Sequence, residues 1–332
     1  MIPSRMRAIG IACDGGPEML RVEERPVPPP GAGEVLVKIH AAGVNRVDVF
    51  QRLGIYRPPA GTTDIPGVEF AGEVVALGVG ASRYKAGDKV CALVVGGGYA
   101  EYCNAPETQV LPLPRGFDWI RGGATMETFC TVWTALYDHG RYRPSESILV
   151  HGGSSGIGTT AIMLAKAEGA RHIFATAGSP EKCAACEKLG ATRAINYRTE
   201  DFEQVVRDAT GGRGVDVIID IVAGDYVPKN VRLLATEGRL VFVGRMSQQL
   251  DVNVNVIKIM YERLVVTGVS LRGQSVERKA RIVAALAKRV WPLFESGTIG
   301  PLVDRVYPLA EAAEAHRRLE SSAHIGKIVL QP

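Results

Sequence analysis

The stretch SILVHGGSSGIGTTAIMLAKAEGA, residues 147–170, decides the fold of this chain. The apolar run 148–150 leads into a turn with four glycines between residues 152 and 158, and an apolar-rich segment follows. A strand, a glycine-rich turn and a helix in this order present the unpaired N–H groups and the positive dipole end of a helix to a pyrophosphate. The spacing departs from G-x-G-x-x-G, so a βα turn without a ligand is the alternative, and the surrounding pattern decides between them.

That pattern alternates between strands and helices as far as a last apolar strand at residues 264–269. Short apolar runs separated by helical segments are typical of a parallel sheet that is covered on both faces. Right-handed crossovers make such a unit a doubly wound Rossmann domain. The turn at 152–158 is therefore predicted to bind a dinucleotide.

The regions on either side of this unit have a different character. Residues 6–125 carry short alternating apolar runs punctuated by Gly and Pro, which predicts a β-rich domain. The chain closes on a clean apolar strand at 327–330, which we expect the N-terminal domain to recruit. The sequence thus predicts an α/β chain in which a doubly wound Rossmann parallel sheet, residues 126–271, is inserted in a β-rich catalytic domain formed by residues 1–125 and 272–332.

Composition excludes several classes of partner. The formal net charge of +4 is spread along 332 residues, so we expect no nucleic-acid partner. No apolar window approaches the roughly 18 residues of a membrane helix, and the first residues carry no signal-peptide core, so we expect no membrane partner. The six scattered cysteines fit a reducing compartment, which indicates a cytoplasmic protein.

The second strand of the Rossmann unit bears on the choice of nicotinamide cofactor. NAD-binding domains end this strand on an acidic residue that takes the ribose hydroxyls. Here the strand runs into Gly178 and Ser179, with Lys182 one turn later and Tyr197 after the next strand. An ammonium and two hydroxyls suit a 2′-phosphate, which a carboxylate would repel. We therefore predict NADPH as the cofactor.

Several separated motifs, taken together and in order, carry a family resemblance. They are AAGVNRVDVFQRLGIYRPP (41–59), IPGVEFAGEVVALGVG (65–80), KAGDKV (85–90), HGGSSGIG (151–158), AGSPEK (177–182), INYR (195–198) and IGKIVL (325–330). The chain resembles the zinc-independent, zeta-crystallin-like NADPH:quinone oxidoreductases of the medium-chain dehydrogenase/reductase superfamily. The resemblance implies that the β-rich domain is GroES-like. With Ser155 at the middle position of the phosphate turn, the chain resembles the inducible quinone reductase subgroup, which has serine there.

The resemblance also implies the absence of a metal. Zinc-dependent relatives carry a Cys near position 45 and Gly-His-Glu at positions 67–69, whereas this chain has Asn45 and Val68. Neither residue is a usual zinc ligand. The four-cysteine lobe that holds a structural zinc in those relatives is also missing. We therefore expect no metal site.

Cofactor contacts are expected at the phosphate turn and the ribose end, and the resemblance adds positions near the nicotinamide. The complete predicted set is Asn45, Thr131, Ser154, Ser155, Gly156, Ile157, Gly178, Ser179, Lys182, Tyr197, Val243, Gly244, Ser270, Leu271, Arg272 and Lys327. Tyr56 is the candidate for the substrate pocket, where it would stack on a quinone ring or hydrogen-bond its oxygen. His151 is interpreted as a structural residue at a strand end rather than as an acid.

The resulting hypothesis is hydride transfer from NADPH to a quinone bound in the interdomain cleft, without a metal. One alternative is NADPH-dependent reduction of an activated alkene, such as an alkenal, an enone or an enoyl thioester. A second alternative is an NADPH-binding protein that is not catalytic. Because strand 264–269 is apolar and expected at a sheet edge, and family members commonly pair there, we expect a homodimer through this edge strand of the Rossmann domain.

Overall fold

A computed structural model describes residues 1–249 and 251–332 of the chain. Within them the strands are β1 (Arg5–Ile11), β2 (Leu20–Pro26), β3 (Glu34–Val44), β4 (Glu69–Leu77), β5 (Lys89–Leu93), β6 (Tyr102–Pro106), β7 (Val110–Pro112), β8 (Ser147–Val150), β9 (His172–Ala177), β10 (Arg193–Asn196), β11 (Val215–Asp220), β12 (Leu234–Phe242), β13 (Val265–Gly268), β14 (Val303–Pro308) and β15 (Lys327–Gln331). The α-helices are α1 (Arg46–Arg52), α2 (Trp119–Gly123), α3 (Met126–Trp133), α4 (Gly156–Ala167), α5 (Pro180–Leu189), α6 (Phe202–Ala209), α7 (Tyr226–Leu233), α8 (Val256–Tyr261), α9 (Val276–Arg289), α10 (Trp291–Glu295) and α11 (Ala312–Glu320). None of the helices in these residues combines the length and the apolar character needed to cross a membrane.

The chain divides into two compact units. The terminal unit comprises Met1–Cys130 and Leu271–Pro332, and the central unit comprises Thr131–Ser270. The first boundary lies inside α3, five residues beyond the position expected from the sequence, because that helix runs on without a break. The second lies one residue before the expected position.

The central unit is built on a six-stranded parallel sheet in the order β10-β9-β8-β11-β12-β13. In the order of the chain this is the 3-2-1-4-5-6 arrangement of a doubly wound Rossmann sheet, so the predicted fold class is confirmed. The interior strands of the sheet are largely buried, and Ile148, Leu149 and Val150 of the central strand β8 have no exposed surface. The strand order reverses between β8 and β11, and the crevice at such a reversal is where α/β sheets bind ligands.

One strand of this sheet differs from the prediction. The apolar pattern of residues 238–243 predicts a strand there, whereas β12 begins directly after α7, at Leu234, and ends at Phe242. Its pairing with β11 shifts register between Val215 and Val217, which accommodates the extra residues. Val243 and Gly244, predicted to end the strand, follow it, and the Val243 N–H donates to the carbonyl oxygen of Asp220 at 2.8 Å.

The terminal unit contains a seven-stranded sheet whose main path is β14-β15-β3-β4-β5-β7, with β6 also paired to β3. The closing strand β15 pairs antiparallel with β3, and Leu330 lies opposite Ala42. On its other side β15 runs parallel to β14. The N-terminal part of the chain therefore recruits this strand, as the sequence predicted, and the structure places it in the interior of the sheet. Residues from both ends of the chain share one core.

Candidate functional site

The phosphate turn of the central unit lies between β8 and α4. Gly152 has φ +68°, a left-handed conformation that suits glycine. A Cβ on Gly158 would lie 2.3 Å from the Gly152 carbonyl oxygen, so the turn and the helix are in backbone contact. The Ser155 hydroxyl caps α4 by accepting from the Gly158 N–H at 3.0 Å. Since a helix leaves its first N–H groups without helical acceptors, the first turn of α4, with Gly156 and Ile157, fits a phosphate.

The predicted ribose end comes together at the carboxyl ends of β9 and β10. Ser179 caps α5, and its hydroxyl oxygen accepts from the Lys182 N–H at 3.3 Å. Tyr197 packs against the turn at Gly178, where a Cβ on the glycine would lie only 2.7 Å from the Tyr197 hydroxyl oxygen. The acidic residue of this helical turn, Glu181, is exposed. Two hydroxyls and an ammonium on adjacent segments fit a 2′-phosphate.

Four buried polar side chains lie beside the phosphate turn. His151 Nδ1 lies 3.0 Å from Thr176 Oγ1, and His151 Nε2 lies 2.7 Å from Asn230 Oδ1. Asn230 Nδ2 in turn donates to Asp220 Oδ2 at 3.0 Å. We call Thr176, His151, Asn230 and Asp220 the His151 chain. Burial lowers the pKa of His151, which agrees with the structural role predicted for it and not with that of an acid.

A second buried polar group lies in the terminal unit, where β15, β3 and β4 meet α1. Lys327 Nζ lies 2.8 Å from Glu69 Oε1, 2.5 Å from Asn45 Oδ1 and 3.1 Å from the Val44 carbonyl oxygen. Asn45 Nδ2 donates to Glu69 Oε1 at 2.9 Å. We call Asn45, Glu69 and Lys327 the Lys327 cluster. Two of its members were predicted as cofactor contacts, and the structure brings them together across 282 positions of sequence.

Glu69 was missed as a site residue by the sequence analysis. Its side chain has no exposed surface, and its second oxygen accepts from the Glu127 N–H at 2.9 Å. The available signal was a carboxylate at the start of the apolar strand β4, since a buried carboxylate needs a partner. That partner, Lys327, is too distant in sequence for a local pattern to reveal.

The Lys327 cluster does not fit a zinc ion. Its ammonium already neutralises Glu69 and takes the oxygen of Asn45, and a second cation there would be repelled. Val68 offers no ligand atom, and the thiolate and imidazole ligands that zinc favours do not belong to the cluster. Within residues 1–249 and 251–332, no group of three or more His, Cys, Asp or Glu side chains is placed to hold a metal ion.

Asp48, in the first turn of α1, holds the backbone of Asn45, a member of the cluster. Its carboxylate accepts from the backbone N–H groups of Asn45, at 2.9 Å, and Gly67, at 3.1 Å. The Tyr99 hydroxyl donates to the same carboxylate at 3.0 Å and lies 3.2 Å from His316 Nε2. Burial raises the pKa of Asp48 to about 6 and lowers the pKa of His316 to about 3. His316 is therefore neutral at physiological pH.

The predicted pocket residue Tyr56 lies near Arg272 in the terminal unit. The Arg272 guanidinium lies 5.9 Å from the centre of the Tyr56 ring. Arg272 Nε donates to the Val95 carbonyl at 2.7 Å, and Nη2 donates to Gln51 Oε1 at 2.6 Å. Arg272 is thus held by neighbours within its own unit, and Leu271 beside it is also buried.

The remaining predicted positions belong to the central unit. Thr131 is buried near its beginning, Ser154 is buried in the phosphate turn, and Ser270 is exposed at its end. Gly244 is exposed beyond β12. The predicted contacts are therefore divided between the phosphate turn and ribose end of the central unit and the Lys327 cluster with Tyr56 in the terminal unit.

Comparison with known proteins gives the family. Residues 31–115 match the model of the alcohol dehydrogenase GroES-like domain, and residues 156–288 match that of the zinc-binding dehydrogenase. The quinone oxidoreductase of Rattus norvegicus is 34% identical over 328 residues, which cover 98% of this chain and 97% of the relative. This chain belongs to the quinone oxidoreductase family of the medium-chain dehydrogenases/reductases. The model that carries zinc in its description covers none of the residues of the Lys327 cluster.

Two crystal structures show how the quinone oxidoreductase fold relates to other chemistry. The Escherichia coli quinone oxidoreductase complexed with NADPH has a TM-score of 0.88 and 31% identity to this chain, and covers 98% of this chain and 100% of its own. The CurK enoyl reductase has a TM-score of 0.87 and 25% identity, with 99% of each chain covered. Quinone and enoyl reductases therefore share this two-domain fold.

Proposed function

We propose that this protein is an NADPH-dependent quinone oxidoreductase that works without a metal. The observation that carries the cofactor is the group of Ser179, Lys182 and Tyr197 at the carboxyl ends of β9 and β10, which suits the 2′-phosphate that distinguishes NADPH from NADH. The relative at 34% identity, a quinone oxidoreductase, supports the acceptor.

Each predicted contact then has a role in binding. The first turn of α4, with Ser154 and Ser155 at its start, holds the pyrophosphate. We assign the nicotinamide end of the cofactor to the other predicted contacts, which are Asn45, Thr131, Val243, Gly244, Ser270–Arg272 and Lys327. Lys327 needs Glu69 for this role, because the ion pair fixes the ammonium and leaves its charge balanced.

Reduction of a quinone to a hydroquinone takes up one hydride and one proton. NADPH supplies the hydride when bound and leaves as NADP⁺, and the protein contributes orientation and exclusion of water. Tyr56 offers a ring on which a planar quinone stacks. The proton comes from solvent, since His151 is buried and held between Thr176 and Asn230, where it is engaged on both ring nitrogens.

The test mixes the protein, NADPH and a 1,2- or 1,4-quinone and follows the loss of reduced-nicotinamide absorbance. We expect turnover with the quinone, and a lower KM for NADPH than for NADH. Binding of NADPH without its oxidation would instead favour a non-catalytic NADPH-binding protein. Preference for NADH would contradict the assignment of the 2′-phosphate site.

An enoyl, enone or alkenal reductase is the second candidate. The structural similarity to the CurK enoyl reductase favours it, because that enzyme shares the fold over 99% of this chain. The two candidates differ only in the acceptor, so a parallel assay with an enone separates them. Faster oxidation of NADPH by the enone than by any quinone would reverse the order of the two proposals.

Independence from zinc has its own measurement. The ammonium of Lys327 lies 2.8 Å from Glu69 and 2.5 Å from Asn45, and it fills the charge balance that a cation would otherwise supply. Elemental analysis of the purified protein is expected to find less than one tenth of an equivalent of zinc, on the order expected for adventitious metal. A full equivalent would contradict the proposal.

A homodimer through the edge strand β13 is the proposed assembly. β13 is the last strand of the central sheet, and one of its sides pairs with no other strand among residues 1–249 and 251–332. Immediately before it in the chain, α8 exposes Val256, Ile257, Met260 and Tyr261, with Tyr261 at 72% exposure. An open strand edge that follows an exposed apolar helix suits pairing with a second copy. Sedimentation at micromolar concentration tests this, and a purely monomeric profile would contradict it.

The proposed location is the cytoplasm. Five of the six cysteines are buried, and all six are free thiols. Thiols are kept reduced in the cytosol, whereas oxidising compartments favour disulfide formation. Cell fractionation checks the location, and recovery of the protein from an oxidising compartment would contradict it.

A further inference from the structure

The His151 chain crosses the strand-order reversal of the central sheet. Thr176 belongs to β9, His151 follows β8, and Asp220 ends β11, so three neighbouring strands each contribute one member at their carboxyl ends. Asn230, on α7, joins His151 to Asp220. All four side chains are at least 99% buried, so each must find its hydrogen bonds within the protein.

The hydrogen bonds of this chain have one direction. Asp220 receives three donors: the Val222 N–H at 2.6 Å, the Ala223 N–H at 3.0 Å and Asn230 Nδ2 at 3.0 Å. Because the carboxylate only accepts, Asn230 turns its amide nitrogen to Asp220 and its oxygen to His151. His151 Nε2 must then carry the proton and donate to Asn230 Oδ1.

The direction continues to the phosphate turn. With Nε2 protonated, Nδ1 of the neutral His151 is an acceptor, and the Thr176 hydroxyl donates to it at 3.0 Å. The Thr176 oxygen keeps its lone pairs for the Gly152 N–H, which lies 3.3 Å away. The Thr176 backbone carbonyl accepts from the Gly153 N–H at 2.8 Å. Thr176 therefore holds the first two amides of the turn.

The other end of the chain holds a second loop. Ala223 has φ +62° and Gly224 has φ +58°, so a residue with a Cβ is kept in the left-handed region. Such a conformation costs free energy and persists only where neighbouring contacts impose it. Here the Asp220 carboxylate imposes it by accepting from the Val222 and Ala223 N–H groups.

We propose that the His151 chain is a positioning device that fixes the phosphate turn after β8 and the loop after β11 at one separation, the separation that NADPH requires. Both loops leave the sheet where α/β domains bind dinucleotides. None of the four side chains needs to touch the cofactor, and each acts through the backbone amides that it holds. The inference rests on the proposed NADPH binding but not on the identity of the acceptor.

Thr176→Val tests the chain at its link to the turn. Valine keeps the shape of threonine and removes the hydroxyl, so Gly152 loses its acceptor and His151 loses its donor. We expect the NADPH dissociation constant to rise at least fivefold, while kcat at saturating NADPH stays within twofold. Thr176→Ser keeps the hydroxyl and is expected to bind NADPH within twofold of the wild-type protein.

A matched control lies at the opposite end of the same sheet. Thr210 Oγ1 accepts from the Gly214 N–H at 3.0 Å, before β11 begins. Thr210→Val removes the same kind of contact far along the strands from the proposed cofactor surface. We expect it to lower the unfolding midpoint as Thr176→Val does while leaving NADPH affinity within twofold. Equal NADPH affinity in Thr176→Val and the wild-type protein would overturn the proposal. Equal losses of NADPH affinity in Thr176→Val and Thr210→Val would overturn it as well.

A measurement without substitution tests the direction of the chain. Long-range ¹H–¹⁵N spectra of the wild-type protein without cofactor report which nitrogen of His151 carries the proton. We expect Nε2 to be protonated and Nδ1 to be bare, and the opposite tautomer would overturn the proposal even if Thr176→Val failed to fold. If the wild-type protein binds NADPH but no quinone oxidises it, the proposed acceptor is refuted and this inference stands. Wild-type protein that binds no NADPH would refute both.

Discussion

The Lys327 cluster of the terminal unit holds a buried ion pair, whereas the His151 chain of the central unit links neutral side chains to one carboxylate. The cluster joins residues up to 282 positions apart, whereas the members of the chain come from three βα units of one domain whose strands are neighbours in the sheet. Loss of one charged member of the cluster should strongly lower stability, because removal of one charge leaves the other buried without a partner. The chain instead holds backbone amides, so its loss should appear chiefly in cofactor binding.

Lys327→Met should give the largest effect and test the first half of this comparison. The substitution leaves Glu69 buried without its cation, and the free energy of unfolding should fall by about 3–5 kcal/mol. Urea unfolding of the full chain without cofactor measures it. The double variant Lys327→Met/Glu69→Gln removes both charges and should recover at least half of the loss. Equal instability of the single and double variants would show that the pair carries no coupling.

Lys182→Ala, in the central unit, should weaken cofactor binding and leave stability almost unchanged, whereas Lys327→Met should chiefly lower stability. Loss of a charge-assisted contact to the 2′-phosphate should raise the dissociation constant for NADPH about twentyfold, or roughly 1.8 kcal/mol. The constant for NADH should stay within about twofold, and unfolding of the protein without cofactor should change little. Isothermal titration measures all of these affinities.

Lys188, exposed in the last turn of the same helix, provides the control for this variant. Lys188→Ala should leave both affinities unchanged. If Lys182→Ala weakened NADPH and NADH alike, Lys182 would not discriminate between the cofactors.

His316→Leu sharpens the comparison through pH, because the terminal unit buries a neutral histidine next to Tyr99. Burial lowers the pKa of His316 from its ordinary value to about 3, so its stabilising effect is complete above pH 6.5 and is lost as the pH falls toward 3. The stability advantage of the wild-type protein over His316→Leu should therefore shrink by about 1.4 kcal/mol between pH 7.5 and pH 5.5. Urea unfolding at the two pH values measures this, and an advantage independent of pH would contradict the lowered pKa.

Ser155→Ala should have the smallest effect. It removes the cap that accepts from the Gly158 N–H, and should cost about 1 kcal/mol of stability, whereas Ser155→Gly should cost a few tenths. Ser275→Ala removes an equivalent cap of α9, in the terminal unit, where the hydroxyl accepts from the Arg278 N–H. Thermal unfolding should show similar losses of stability for the two alanine variants. Only Ser155→Ala should also weaken NADPH binding. Equal NADPH affinity in both would remove Ser155 from the cofactor surface.

The sequence predicted the central unit well because its information is local. A strand, a glycine turn and a helix occupy consecutive residues, and Ser179 with Lys182 lies within one helical turn. The parallel sheet, the edge position of β13 and the recruitment of β15 all followed from such patterns. The boundaries of β12 were wrong, since a shift in register near Val215 left no mark in the hydrophobic pattern.

The polar partners were less predictable, because they depend on tertiary packing. Glu69 lies in a motif that sequence analysis had marked for another reason, yet its link to Lys327 depends on where β15 enters the sheet. Asn230, on α7, resembles an ordinary helical residue until the fold brings it 2.7 Å from His151. A buried polar residue can be suspected from its position in an apolar element, but only the fold names its partner.

The interior position of β15 bears on the order in which the chain folds during synthesis. Residues 131–270 form a contiguous unit and can complete their sheet as soon as they leave the ribosome. The first 130 residues must wait, because the edge of β3 from Ala42 to Val44 finds its partner only when residues 328–330 are made. Until then the nascent chain displays an open strand edge, which is a template for pairing with other chains. Synthesis of this enzyme therefore carries a vulnerable interval that lasts until residues 328–330 have emerged, and a chaperone that shields β3 would protect the chain during that interval.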